Sequence, residues 1–379
     1  MNLSVSVAPV SEPFDDVRRI VVLRGGGLGD LLFAQPALAA LAGAYPDAEI
    51  TLLGSPVAGE LFAPDAPRVL GVPHHVVRLP EIPGVAAPPE AAPPAGIRDF
   101  LDAQAAEGYD LAVQLHGGGR YSNPLLNRLG ARHTVGTRTP DAEPLERTLD
   151  YVYYQHEVLR GLEVAGLAGA APVVLEPRVL IDEASAAAAE RDADAPLVAI
   201  HPGATDPRRR WPAERFAATA LALLRDGARI LLVGGAGDAP LAARIRARLD
   251  DAAPGSASRV DDATGRMGLR QLAAALAGAD LLVANDSGPR HLAQAVGTMT
   301  ASVYWVGNIV NAGPLGRGNH RVQLSWTTRC PVCGRDCTQV GWTSERCEHD
   351  VSFVADVTSD AVLADARQLM ATTALPRGR

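Results

Sequence analysis

The sequence predicts an α/β protein built from two successive doubly wound domains, and three observations predict it. At 379 residues the chain exceeds the roughly 250–300 at which one hydrophobic core usually splits. Short apolar runs closed by glycine alternate with longer helical stretches, first from Arg19 and again from Pro196. Between the two series lies an Ala- and Asp-rich segment, 182–194, which reads as the linker.

The first series opens after a polar stretch, 1–18, that reads as a flexible N-terminal tail. Arg19 to Arg24 is a buried strand, 25–29 a glycine turn, and Asp30 onward a helix stopped by Pro46-Asp47. Glu49 to Leu53 is a second strand. Pro80 to Gly96, rich in Pro and Ala, reads as a surface excursion. Tyr109 to Leu115 is a further strand, ending at Gly117-Gly118-Gly119. The second series holds strands at Leu197–His201, Arg229–Val233, Asp280–Ala284 and Thr300–Trp305. Its helices are 211–226, with Pro212 in the first turn, one from about Asp238, then 269–277 and 289–296. The reading gives a first domain over 19–185, a second over 186–357, and a terminal segment, 358–379. In parallel sheets of this kind ligands bind outside the carboxyl ends of the strands, so a cleft between the domains is the expected site.

Composition narrows the chemistry. Hydrophobic residues at 47% and charged residues at 21% describe a globular chain. A net charge of −8 argues against nonspecific binding to nucleic acid and limits membrane contact to peripheral association. All 35 basic residues are arginine. That removes a Schiff-base lysine and a Walker A lysine, so any phosphate must be held by arginine, backbone amides or a metal. No apolar run is long enough to span a membrane, and the N-terminus has no leader pattern. The four cysteines are confined to 330–347, which points to the cytoplasm rather than to a secreted disulfide scaffold.

Four motifs stand where strands end. Arg24-Gly-Gly-Gly-Leu-Gly-Asp30 falls short of a dinucleotide fingerprint: the third glycine position is Asp30, and the second strand ends without an acidic residue. Asp30 reads either as a capping aspartate or as a general base at the mouth of a glycine loop. His201 to Pro212 carries Gly203, Thr205 and three arginines, 208–210. These form a solvated charge run or an anion site at a helix start. Asn285 to His291 places Asp286, Ser287, Gly288 and His291 at another strand-to-helix junction, beyond what capping alone requires. Cys330, Cys333, Cys337 and Cys347, with His349 nearby, suit a tetrahedral zinc site, with free thiols or disulfides as the alternative.

Together these motifs resemble the heptosyltransferase family, glycosyltransferase family nine. The resemblance rests on Gly27-Leu28-Gly29-Asp30, on His201 to Ala204 with Arg209-Arg210-Trp211-Pro212, and on Asp286-Ser287-Gly288 with His291. It covers the chain from about Arg19 to the C-terminus. One departure is Arg209, where the family usually has lysine. The resemblance implies a GT-B fold: two Rossmann-like domains facing a central cleft, with the final helix, about 359–371, crossing back to the first domain. It implies inverting transfer of a sugar, heptose among the candidates, from a nucleoside-diphosphate sugar to a glycan or glycolipid acceptor, and no metal cofactor in catalysis. Asp30 would be the base. Thr205, Arg209, Arg210, Ser287 and Gly288 would hold the donor phosphates, and Asp286 and His291 the donor sugar. Asp238, Met267 and Gly268 would contact the nucleoside, and Gly27, Gly29 and Arg120 the acceptor. Any zinc on the cysteines would be structural. A sugar-nucleotide epimerase on the same fold, or a non-catalytic nucleotide-sugar-binding partner, are the alternatives.

Overall fold

The structure is a computed structural model that describes residues 9–62, 71–181, 195–338 and 345–373. The linker expected at 182–194 lies outside the described residues. The chain divides into two compact units, one ending at Arg178 and the other beginning at Val179. That places the division earlier than the expected 185.

In the first unit the order is β1 (Arg19–Arg24), α1 (Leu28–Ala44), β2 (Glu49–Gly54), α2 (Pro56–Leu61) and β3 (His75–Arg78). Then follow α3 (Ile97–Ala106), β4 (Leu111–Gln114), α4 (Ser122–Arg128), β5 (His133–Arg138), β6 (Arg147–Asp150) and α5 (Glu157–Leu167). All neighbouring strands are parallel, in the order β3-β2-β1-β4-β5-β6. Central β1 is RIVVLR, buried from Ile20 onward, as a strand covered on both faces must be. The core helix α1 is buried without a break from Leu31 to Leu41, so it shows no polar face, and it packs on α5.

Two expectations need correction here. The segment from 9 to 18 is not a loose tail: Phe14 and Val17 are buried. Phe14 stacks on His133 and lies under the Arg147 guanidinium, and its N–H donates to Tyr45 Oη at 3.1 Å. Nor is 80–96 a plain surface excursion, because Ile82 and Val85 join the core beneath it. Its apolar residues are spaced among prolines, so no periodic signal announces their burial.

The second unit runs β7 (Leu197–His201), α6 (Ala213–Arg225), β8 (Arg229–Leu232), α7 (Ala239–Ala252), β9 (Val260–Asp262), α8 (Leu269–Gly278) and β10 (Leu281–Asn285). It closes with α9 (Gly288–Ala295), β11 (Met299–Trp305), α10 (Val306–Ala312), β12 (His320–Ser325) and α11 (Ser359–Thr373). The parallel order is β12-β11-β10-β7-β8-β9. Read from the other edge, this is the same doubly wound order as in the first unit. Trp211, wholly buried, packs edge-on against Phe216 of α6 and donates its indole N–H to Val357 O at 2.9 Å. The terminal helix α11, expected to return to the first domain, instead packs in the second unit. Val362, Ala366 and Leu369 are wholly buried there, against α6 and the sheet.

Candidate functional site

Doubly wound sheets reverse strand order between their first and fourth strands, and ligands gather at the carboxyl ends there. In the first unit the reversal lies between β1 and β4, followed by the loops at 25–30 and 115–121. In the second it lies between β7 and β10, followed by the loops at 201–212 and 285–288. Asp30, the arginine run and the Asp286 motif therefore all stand at reversal points.

Asp30 is the third residue of α1, and its Oδ2 accepts the Gly27 N–H at 2.9 Å. Gly26 makes this possible: its φ is +94°, and a Cβ there would lie 2.4 Å from Asp30 Oδ2. The other oxygen, Oδ1, accepts from Arg24 Nη2 at 2.7 Å. Arg24, the last residue of β1, is 7% exposed and also reaches Leu115 O and Glu157 Oε2. Burial opposes its charge, but Asp30 and Glu157 outweigh burial and raise its pKa. Asp30 thus caps the helix and keeps 46% of its side chain exposed. His116 nearby is pushed below its ordinary pKa by burial and by Arg24.

A cavity of about 440 Å³ opens beside Gly26, lined by Ser55, Arg78, Glu81 and Val85 among others. Gly27 is the N-cap of α1 and Gly29 its second residue. Arg120 stands on the surface, 3.5 Å from Asp141.

In the second unit the three arginines part company. Arg208 turns inward to Asp206 at 2.5 Å. Its main-chain O accepts the Phe353 N–H. Arg210 donates Nε–H to Ala204 O at 2.9 Å. Arg209 donates Nη1–H to Asp286 Oδ2 at 3.0 Å. Asp286 is 1% exposed; its Oδ1 faces His291 Nε2 at 3.2 Å, and Asn308 also donates to Oδ2. Burial works against this carboxylate, yet His291 and Arg209 hold its pKa down to about 2. Burial pushes His291 the other way, below its ordinary value. Asp286 and His291, expected on the donor sugar, are both buried, with Asp286 bonded to Arg209 and His291 set against Asp286.

Ser287 is the N-cap of α9 and Gly288 its first residue, so backbone and hydroxyl sit at a positive helix end. Thr205 is exposed in the turn ahead of the arginines. Met267 is half-buried, and Gly268 caps α8 by donating to Gln271 Oε1 at 3.0 Å.

Sequence reasoning missed several positioning groups. Asn285 ties two loops together: its Oδ1 accepts the Trp211 N–H at 2.9 Å and its Nδ2 donates to Pro202 O at 2.8 Å. An amide closing an all-apolar strand was the available signal. Glu157 and Asn308 gave none, lying far from their partners in sequence. A repeated loop was also there to be read. Gly26-Gly-Leu-Gly-Asp30 and Gly234-Gly-Ala-Gly-Asp238 share one capping contact, Gly235 N–H donating to Asp238 Oδ2 at 2.9 Å as Gly27 N–H does to Asp30.

The cysteines gather, with one change of membership. Cys330, Cys333, Cys347 and His349 bring their ligand atoms within 4.8 Å of one another. Cys337, expected in the set, lies outside it, its thiol directed to Thr327 O at 3.9 Å. Among the described residues His349 Nδ1 is buried without a hydrogen-bond partner. Three thiols and this imidazole fit a metal ion.

The sequence profile of glycosyltransferase family 9 (heptosyltransferase) matches residues 99–339, well over half of the chain, and the protein belongs to that family. It is a glycosyltransferase of GT-B fold using a nucleotide-sugar donor. Among solved structures it is similar to ADP-heptose LPS heptosyltransferase II of E. coli, at 20% identity and TM-score 0.71, over 94% of this chain and 99% of that one. E. coli heptosyltransferase WaaC with ADP matches at 22% identity and TM-score 0.61, over 93% and 99%. The iron-containing dodecameric glycosyltransferase TibC of enterotoxigenic E. coli H10407 matches at 15% identity and TM-score 0.55, over 96% and 78%. No curated protein matches the sequence. Among the described residues no helix is long and apolar enough to cross a membrane.

Proposed function

We propose that the protein transfers a sugar, with inversion, from an ADP-heptose-like donor to a glycan or glycolipid hydroxyl. The observation that carries this reading is Arg209, held by a buried carboxylate beside the N-cap hydroxyl of Ser287. That pairing gives an anionic leaving group both a charge and oriented donors. Asp30 takes the proton of the acceptor hydroxyl, whose oxygen bonds to the anomeric carbon. The bond to the diphosphate breaks, and the electron pair leaves with the phosphate oxygen. Arg209, Arg210, Ser287 Oγ and the Gly288 amide stabilise the charge that develops, which requires no metal at the reacting atoms. The cavity beside Gly26 is the acceptor site. Asp238 and Met267 face the nucleoside.

In the same reading Cys330, Cys333, Cys347 and His349 hold one structural metal, zinc by their chemistry. The description of TibC as iron-containing makes iron the second element to assay. Clustered, unpaired cysteines suit a cytoplasmic enzyme.

The first test is thermal stabilisation by ADP, UDP, GDP and dTDP. One of them should raise the melting temperature, and the sugar nucleotide built on it should be consumed only when an acceptor is present. Free nucleoside diphosphate released without an acceptor would favour an epimerase. No stabilisation by any of the four would remove the donor site.

A further inference from the structure

We propose that His201 is a positioning residue of the donor site, fixing the Ser287 hydroxyl for a diphosphate through a link anchored on Asp238. The inference rests on the donor reading above. His201 is the last residue of β7, and β7 lies between β8 and β10 in the sheet. Asp238 follows β8 and Ser287 follows β10, so one imidazole spans three neighbouring strand ends. Its Nε2 lies 3.4 Å from Asp238 Oδ2, and its Nδ1 lies 3.1 Å from Ser287 Oγ. A carboxylate only accepts, so Nε2 carries a proton and Nδ1 is turned to the serine. Engaged at both nitrogens and 4% exposed, the ring has one orientation.

The backbone is shaped for this contact. A Cβ on Gly203 would fall 2.1 Å from Asp238 Oδ1, so the glycine of His-Pro-Gly clears the path by which Asp238 reaches the ring. Asp238 is itself held by the Gly235 N–H, and its pKa is lowered with the His201 hydrogen bond as the largest cause. Ser287 Oγ also lies 3.2 Å from Asn285 O. Without the imidazole, that carbonyl would be its only partner among these three residues. The hydroxyl has one proton, and a phosphate, which only accepts, must take it. An Nδ1–H donating to Oγ supports the hydroxyl while that proton turns from Asn285 O to the ligand, so the contact matters only to a ligand that accepts from Oγ. The phosphates should therefore feel the link, and the nucleoside should not.

A double-mutant cycle tests this by calorimetry. The ligands are the nucleoside diphosphate that most stabilises the wild type and the matching nucleoside. Ser287→Ala should weaken the diphosphate roughly tenfold, as for a lost hydrogen bond to a charged group. His201→Gln should weaken it by a similar factor, and the double variant should be no worse than either. Nucleoside affinity should stay unchanged in all three. His201→Asn, which keeps a polar group near the Nδ1 position, should recover most of the loss. Should His201→Gln fail to fold, His201→Leu replaces it in the cycle, read as the ratio of diphosphate to nucleoside affinity. Wild-type diphosphate affinity in the His201 variant, multiplied losses in the double variant, or an equal loss of nucleoside would overturn the link. Undiminished affinity in Ser287→Ala would instead overturn the donor reading itself.

Discussion

Replacing Asp286 by asparagine should destabilise the second unit in a way that fades at low pH. The carboxylate is 1% exposed and bonds Arg209, His291 and Asn308. Its folded pKa is near 2 against an ordinary 3.8. A depressed carboxylate pKa stabilises the fold above the unfolded value, and that stability is lost as pH falls through the folded one. A shift of this size corresponds to about 2 kcal/mol at neutral pH, with about half remaining at pH 3. Asparagine keeps the volume but leaves Arg209 facing a neutral group. Arg209 is 24% exposed, so solvent recovers part of the loss, and a total near 3 kcal/mol is expected, the lower end for a broken buried pair. The assay is urea unfolding of wild type and Asp286→Asn from pH 7 down to pH 3.5, followed by a probe within the second unit. The gap between the two should hold down to about pH 5 and then narrow, with about a quarter of the linked part lost by pH 3.5. A gap below about 0.5 kcal/mol at pH 7, or one that does not change with pH, would refute the argument that this carboxylate holds the site together.

Asp30→Asn should lower turnover by ~10²–10⁴ while leaving nucleotide affinity intact; since Asp30 also caps α1, it should cost about 1 kcal/mol in unfolding assays. Turnover equal to wild type would leave Asp30 as a cap alone. Arg209→Ala should weaken nucleoside-diphosphate binding by roughly 1.5–3 kcal/mol, measured by calorimetry, and unchanged binding would assign the phosphates to Arg210 and the helix end. Protein purified without chelators should carry about one metal ion per chain by elemental analysis. Cys330→Ser should lose it, whereas Cys337→Ser should keep it; metal-free wild type would make the cluster ordinary thiols.

How much of this was legible depended on burial. The strands Arg19–Arg24 and Leu197–His201 have the bounds their apolar runs predict, because central parallel strands are covered on both faces. The strands His75–Arg78, Arg147–Asp150 and His320–Ser325 went unread, and each lies at or ends a sheet edge. Arg147–Asp150 buries none of its residues, so no periodicity marks it. Phe14 hid in a segment whose prolines and acids masked one anchoring ring. At the site, the glycine loops and the arginine run were visible as local motifs. The pairing of Arg24 with Glu157, and of His201 with Asp238, was not. Such pairs are set by which strand ends the topology makes neighbours, and the chain separates them widely.

The loop that occurs twice has a consequence for how these aspartates acquire their character. In both copies two glycines and a helix start fix a carboxylate in space by local bonds alone. What differs is the partner and its origin: Arg24, at the end of the loop's own strand β1, meets Asp30, whereas His201, at the end of the neighbouring strand β7, meets Asp238. The frame is indifferent to chemistry, and residues outside it decide whether the held carboxylate meets a guanidinium or an imidazole. A different strand end brought to the same loop, with the loop itself unchanged, is thus enough to alter what its acid faces.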